Sequence, residues 1–292
     1  MKIETQKSNY LRRNKTMRRN AEKYKKPPIP EKYSYVLGEW NTGFVIQRNC
    51  DGSQFVWIPV GSLKANGTLK AMNEKAYNQK FGRRNYFPND ILQDIRTGYC
   101  EYLLPELKLQ KKSVKKYGGF YISRYKISKN EEGTNVQSVK GAIPLKRANY
   151  YYAIKVAENF ERGDKVKSHL TYGAEHDSMV EWFIESGAMY REEIERHPIK
   201  KCNQKKSKKI ARTGSKKTVQ INNICDLPVE DTEWTQESIV SNRFGGMYRG
   251  GCQVQRGGNS IYNSKNSMAY RTKVIPVDVC ENTGFRIVLC LK

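Results

Sequence analysis

The chain has 292 residues, with 53 Lys and Arg against 29 Asp and Glu, a formal net charge of +24 and 38% hydrophobic residues. That is enough for one large domain or two small ones, and no run reaches the ~18 apolar residues of a membrane-spanning helix. The positive field favours polyanions without selecting among them; its two densest blocks, residues 12–26 and 200–217, lack a recognition-helix pattern, so they predict nonspecific polyanion binding rather than base reading.

Residues 1–30 form a basic arm that ends in Pro27-Pro28-Ile29-Pro30 and is predicted to be disordered. Residues 1–26 carry no apolar segment of a secretory signal, so the expected setting is the cytoplasm or a phage particle. Residues 31–292 read as one domain. Residues 43–47 and 54–60 predict two strands joined at Asp51-Gly52-Ser53, with Trp57 as a core aromatic. Residues 64–112 are polar and basic with scattered aromatics and read as an insertion; 99–112 is amphipathic, with Pro105 breaking it. Residues 118–128 alternate as a strand does. Helices are predicted over 143–160, with Ala153, Val156, Ala157 and Phe160 at helical spacing, and over 168–187, with Met179, Trp182 and Phe183 as the apolar face and Gly187 as the stop. A charged connector follows, with a Lys-rich loop at about 198–218.

The last sixty residues carry four anchors: Glu233-Trp234-Thr235, then Arg249-Gly250-Gly251, then Arg271 after Ala269, then Gly284-Phe285-Arg286. Phe285, Ile287 and Leu289 fall on one face at period two and predict a half-buried strand. Asn259, Ser260, Asn263, Ser264, Asn266 and Ser267 predict loops. This order of anchors resembles the C-terminal end of the formylglycine-generating enzyme, or sulfatase-modifying factor, family. The resemblance extends to residues 55–61 and 120–128 as strands, with Lys126 where the family has Glu, and to Leu170, Thr171 and Glu175 in a partly kept motif. It implies an α+β, C-type lectin-like mixed fold with long loops. It also implies structural roles for Trp57, Trp234, Arg249, Gly250, Gly251, Arg271, Gly284, Phe285 and Arg286, with Arg271 and Arg286 bonding carbonyls or acids in the core.

The family's oxidases bind copper(I) through two cysteines after R-G-G. Counted from Gly250-Gly251 those positions fall near Gln255 and Ser260; counted from the second such string, Arg256-Gly257-Gly258, near Tyr262 and Ser267. None is cysteine, and Cys252 alone cannot make a two-coordinate site. The spacing from Glu233-Trp234 favours Arg249 over Arg256 as the anchor. The seven cysteines form no C-x-x-C pair and read as reduced thiols. A related iron-binding branch needs a histidine cluster; His169, His176 and His197 do not form one and read as surface or capping residues. Val229 to Thr232 replace the family's calcium-site Gly-Asn, which leaves Asp226, Glu230 and Asp231 as calcium candidates where no other cofactor is expected. No hydrolase or phosphate-loop motif occurs.

What remains is a binding surface over residues 252–282, with Cys252, Gln253, Gln255, Arg256, Asn259, Tyr262, Asn263 and Asn266 as ligand candidates. The expected function is non-catalytic binding of a protein or glycan on this scaffold, in a phage or mobile-element setting. The variable proteins of diversity-generating retroelements share the fold and vary near such a C-terminus. The alternatives are a divergent metal-dependent oxidase and a nonspecific nucleic-acid-associated protein.

Overall fold

The computed structural model describes residues 26–64, 66–87, 94–95, 99–101, 105–196, 211–215, 220–228, 231–239, 251–258 and 267–292. Among these, the turn at Asp51-Gly52 joins β2 (Val45–Arg48) to β3 (Gln54–Pro59), with Val45 opposite Val56. Gly52 adopts φ +73° there, a conformation that favours glycine. β1 (Tyr33–Leu37) adds to the outer side of β2. β5 (Gly119–Ser123) lies beside β3, and the last strand, β13 (Ile287–Leu291), lies between β5 and β8 (Val166–Leu170). The resulting six-stranded sheet has the order β1-β2-β3-β5-β13-β8, and its pairings are antiparallel.

A second sheet is built on β9 (Thr232–Ile239). β10 (Cys252–Arg256) runs antiparallel along one side of it, and β11 (Arg271–Val274) pairs with β10. The other side of β9 takes β12 (Thr283–Phe285), in parallel, and the short β4 (Tyr99–Cys100). β6 (Ser128–Lys129) and β7 (Val136–Gln137) form a separate ribbon. The helices are α1 (Glu74–Lys80), α2 (Pro105–Tyr117), α3 (Tyr150–Phe160), α4 (Gly173–Glu185) and α5 (Arg191–Arg196). The fold is therefore mixed α/β, mostly sheet with few helices, and no described helix is long and apolar enough to cross a membrane.

Four expectations are corrected. Pro105 begins α2 instead of breaking it, since the first helical position needs no N–H donor and suits proline's fixed φ. Residues 143–149 are not helical: Asn149 Oδ1 accepts the Tyr152 N–H at 2.9 Å and starts α3 at Tyr150. Residues 168–187 divide into the end of β8 and all of α4, which begins where the Glu175 carboxylate accepts the Tyr172 N–H at 2.8 Å. The final strand is buried on both faces rather than one, and it is two strands separated by Arg286.

The six-stranded sheet divides the core. On one face Val56, Ile58, Phe120, Ile122 and Val288 pack with Met179, Trp182 and Phe183 of α4. On the other, Phe55, Trp57, Tyr121, Ile287 and Leu289 pack with Ala153 and Ala157 of α3 and with Trp234 and Phe285. Each large apolar side chain so buried contributes roughly 1.5–3 kcal/mol.

Candidate functional site: a buried ionic core beside a cavity

The anchors Glu233-Trp234 and Gly284-Phe285 lie some fifty residues apart in sequence yet are register partners: Gly284 is opposite Glu233 and Phe285 opposite Trp234. Arg286 follows at the crossing between the two sheets. Its Nε donates to both Glu233 carboxylate oxygens at 3.1 Å. Its Nη1 reaches the carbonyls of Ser123 and Arg124 at 3.0 and 3.3 Å, and its Nη2 those of Cys225 and Asp226 at 2.6 and 2.8 Å. Every nitrogen of the guanidinium is thus engaged, and a fork of five donors is the group that can hold so many acceptors. The Trp234 indole N–H donates to the Ala148 carbonyl at 2.7 Å.

A second ionic group lies along β10 and β11, where Arg256 and Arg271 are register partners. Two buried like charges side by side require counter-charges, and Asp177 of α4 and Glu237 of β9 supply them. Arg256 binds Glu237 Oε2 at 2.9 Å and Asp177 Oδ1. Arg271 binds Glu237 Oε1 at 2.9 Å and Asp177 Oδ2 at 2.9 Å. The Arg84 N–H adds a bond to Asp177 Oδ2 at 2.7 Å, and Arg83 lies 3.4 Å from Glu237. Burial pushes the Asp177 carboxyl up, but Arg256 and Arg271 outweigh it and hold that carboxyl well below the usual range. His176 is buried beside them and is kept neutral by burial and by Arg256. Glu101, half-buried over the first N–H groups of α4, accepts from Gly173 and Ala174; burial and then the charge of Glu237 push it up to about 8.

The R-G-G string that enters this core is Arg256-Gly257-Gly258. Gly257 has φ +115°, and a Cβ there would lie 2.5 Å from the Pro228 carbonyl oxygen, so no other residue fits unstrained. Arg249 and Gly250 lie outside the described residues, and Gly251 is exposed beside the Ile239 carbonyl.

Four of the eight expected ligand residues are described, and they divide between the buried part of β10 and its Ile239 end. Gln255 and Arg256 are buried; Gln255 Oε1 accepts the Thr232 and Thr283 hydroxyls at 2.8 and 3.1 Å. Neither reaches a surface ligand, because β10 is the middle strand of its side of the sheet. Cys252 and Gln253 are half-buried at the Ile239 end of β10, whereas Gly258 and Ser267 flank the Glu233 end, ~13 Å away along the strand. Asn259, Tyr262, Asn263 and Asn266 lie outside the described residues, as do His197 and most of the 1–26 and 200–217 blocks.

Glu230, Ser260 and Tyr262 lie outside the described residues; the remaining candidate donors are engaged within the protein. Gln255 occupies one copper position and is committed to two threonines, and the described cysteines are all free. Asp226 accepts the Gly214 N–H at 2.8 Å and the Lys126 N–H at 3.4 Å, while Asp231 is neutralised by Lys126 and Lys146 at 3.2 and 3.3 Å. These carboxylates are committed to N–H groups and ammonium ions instead of forming an oxygen cage for calcium. His169 and His176 are buried core residues, not surface ones, since each sits where a strand or helix packs inward.

A cavity of about 360 Å³ opens where the edge strand β8 meets α2 and the end of α3. Its floor is His169, Tyr172, Gln236 and Cys290; its rim carries Glu106, Glu158 and Glu161 with Arg162 and Lys167. Glu175 fixes the floor: it bonds His169 Nε2 at 2.9 and 3.1 Å and accepts from Gln110 Nε2 at 2.6 Å. The Tyr172 ring lies tilted on His169 at 4.8 Å. Gln236 Nε2 donates to the Leu170 carbonyl at 2.8 Å. The Tyr172 hydroxyl is buried and makes no hydrogen bond among the described residues. Burial pushes its pKa upward and pushes the Cys290 thiol up to about 11, so both keep their protons. Sequence reasoning passed over Tyr172, Gln236 and Cys290 because they come from three segments with no shared motif. No protein-family model matches the chain, and neither a curated protein nor a solved structure does so.

Proposed function

We propose that the chain is a non-catalytic ligand-binding protein on a C-type lectin-like scaffold of the sulfatase-modifying-factor type. The scaffold half is supported by the residues that resemble the family's motifs, which act together: Glu233 with Arg286, Trp234 beside Phe285, and Arg256 with Arg271. The binding half rests on one observation, the unpartnered Tyr172 hydroxyl in a cavity with His169 and Gln236. A hydroxyl that no side chain engages, at the floor of a cavity, is free to bond a polar atom of a ligand. Three carboxylates against two basic side chains at the rim favour a small ligand bearing an amine. Titration calorimetry with a panel of small amines, beside matched carboxylic acids and alcohols, tests this. A ligand bound by the native chain should weaken about tenfold in Tyr172→Phe, the loss of ~1.4 kcal/mol for one hydrogen bond. No binder in any class, or a binder indifferent to Tyr172→Phe and Gln236→Leu, would sink it.

Residues 259–266, with Cys252 and Gln253 as a separate patch, remain proposed for a protein or glycan partner. Comparison of sibling gene copies tests their diversification: substitutions spread evenly along the chain would reject it. Polyanion binding through the basic blocks is proposed as nonspecific, and a steep loss between low and physiological salt with no sequence preference is the expected result.

A further inference from the structure

We infer that a second site, a polar groove between two hairpins and the outer face of α3, binds a neutral oligosaccharide. The groove has a volume of about 600 Å³, within the ~300–1,000 Å³ of small-ligand clefts, and shares no residue with the Tyr172 cavity. One wall is the β2–β3 turn with Arg48 and Asp51, the second is the β6–β7 hairpin, and the third is α3.

The chemistry of the walls selects the ligand. Four carboxamides face the groove: Asn130, Asn135, Gln137 and Asn159. Asn130 is engaged at both ends within the hairpin, while Asn159 and the Gln137 and Asn135 oxygens are left to neighbouring sugar hydroxyls, which both donate and accept. The charges are largely cancelled. Arg48 Nε bonds Asp51 Oδ1 at 3.0 Å, its Nη1 bonds the Phe160 carbonyl at 2.8 Å, and its guanidinium covers the Phe160 ring at 3.6 Å. Lys155 alone is left to attract an anion, so in a chain of net charge +24 this groove is close to neutral.

The groove also has unused capacity on a rigid frame. The Asn159 side chain is exposed and makes no hydrogen bond among the described residues, and Gln137 donates to the Lys129 carbonyl at 3.2 Å with its own oxygen unengaged. The second hairpin is fixed by Asn130 Oδ1, which accepts the Asn135 N–H at 2.9 Å, and by Ser138, whose N–H donates to Ser53 Oγ at 3.0 Å. Tyr152 is 39% exposed at the lip and offers an aromatic face to the apolar side of a pyranose ring. Donor–acceptor amides, an aromatic platform and cancelled charge together favour a neutral sugar over a phosphate, a nucleic acid or an acidic peptide.

The test is saturation-transfer NMR and calorimetry of the full chain with maltotriose, cellotriose, chitotriose and mannotriose at physiological salt. At least one should bind, with affinity unchanged by added salt. Asn159→Ala and Tyr152→Ala, both exposed and so compatible with folding, should each weaken it by about five- to tenfold. Tyr172→Phe should leave it unchanged, which separates this site from the amine cavity. No binding by any of the four sugars would overturn the inference, as would binding indifferent to both variants. Binding confined to heparin and lost as salt rises would overturn it too, by assigning the contact to the basic blocks.

Discussion

The ionic core and the Tyr172 cavity are neighbours built from the same two elements, yet one pairs two arginines with two carboxylates and the other sets a neutral hydroxyl beside open space. Asp177 and Glu175 lie two residues apart at the start of α4; Glu237 and Gln236 are adjacent on β9. Asp177 and Glu237 turn toward Arg256 and Arg271, and all four of their carboxylate oxygens are bonded. Glu175 and Gln236 turn to the other side, where the Tyr172 hydroxyl makes no hydrogen bond among the described residues. The alternation of a strand thus sends one residue to the ionic network and the next to the cavity.

The comparison breaks first at the ionic core. Asp177→Ala leaves two buried guanidinium groups with one counter-charge and should cost about 3–5 kcal/mol, read as a fall in the urea midpoint. Arg286→Ala should cost about as much, because it strands Glu233 and four carbonyls. A loss below ~1 kcal/mol for Asp177→Ala would mean that the network is not the structural element argued here. Gly257→Ala comes next, at roughly 2 kcal/mol, from its φ of +115° and the Pro228 carbonyl 2.5 Å from the new Cβ. Replacing Gly251 instead, which is exposed, should cost much less and so test which R-G-G string is the anchor.

How much of this was legible beforehand follows from how local each signal is. The β2–β3 hairpin was readable because Asp51-Gly52 sets its own turn, and the faces of β3 because Phe55 and Trp57 alternate with Val56 and Ile58. Arg286 was readable as a core residue only through the resemblance of Gly284-Phe285-Arg286 to the family's motif. The roles of Arg256 and Gln255 were not, since polar residues among Gln, Asn and Ser look like a surface until β11 is known to cover one side of β10 and β9 the other. The helix assigned to 168–187 failed for a similar reason. His169 and Leu170 look helical by spacing, but β13 offers them a ladder. The cavity was least legible, as Tyr172, Gln236 and Cys290 meet only through the tertiary fold.

Acidity separates the two sides of α4 more finely. The depressed pKa of Asp177 contributes stability that is present above its unfolded value, ~3.9, and is lost as pH falls through the folded one. The raised pKa of Glu101 acts oppositely: its contribution is full below 4.5 and is lost as pH rises through about 8. Stability should therefore peak at mildly acidic pH and decline on both sides. Glu101→Gln should flatten the alkaline decline and leave the acid side untouched, as urea midpoints across the range would show. An alkaline slope that survives the substitution would detach Glu101 from it.

The smallest expected effect separates the two roles most cleanly. Tyr172→Phe removes the buried hydroxyl and keeps the ring on His169. In a structural site such a change costs stability, because some other group loses its bond. Among the described residues the hydroxyl makes no bond to lose, so Tyr172→Phe should raise stability, by at most ~1 kcal/mol. The gain should be visible as a higher urea midpoint at unchanged slope. Thermal stability and ligand affinity then move in opposite directions at one atom, as expected of a group retained for binding. A loss of stability in Tyr172→Phe would place that hydroxyl with the ionic core and remove the observation on which the cavity's role depends.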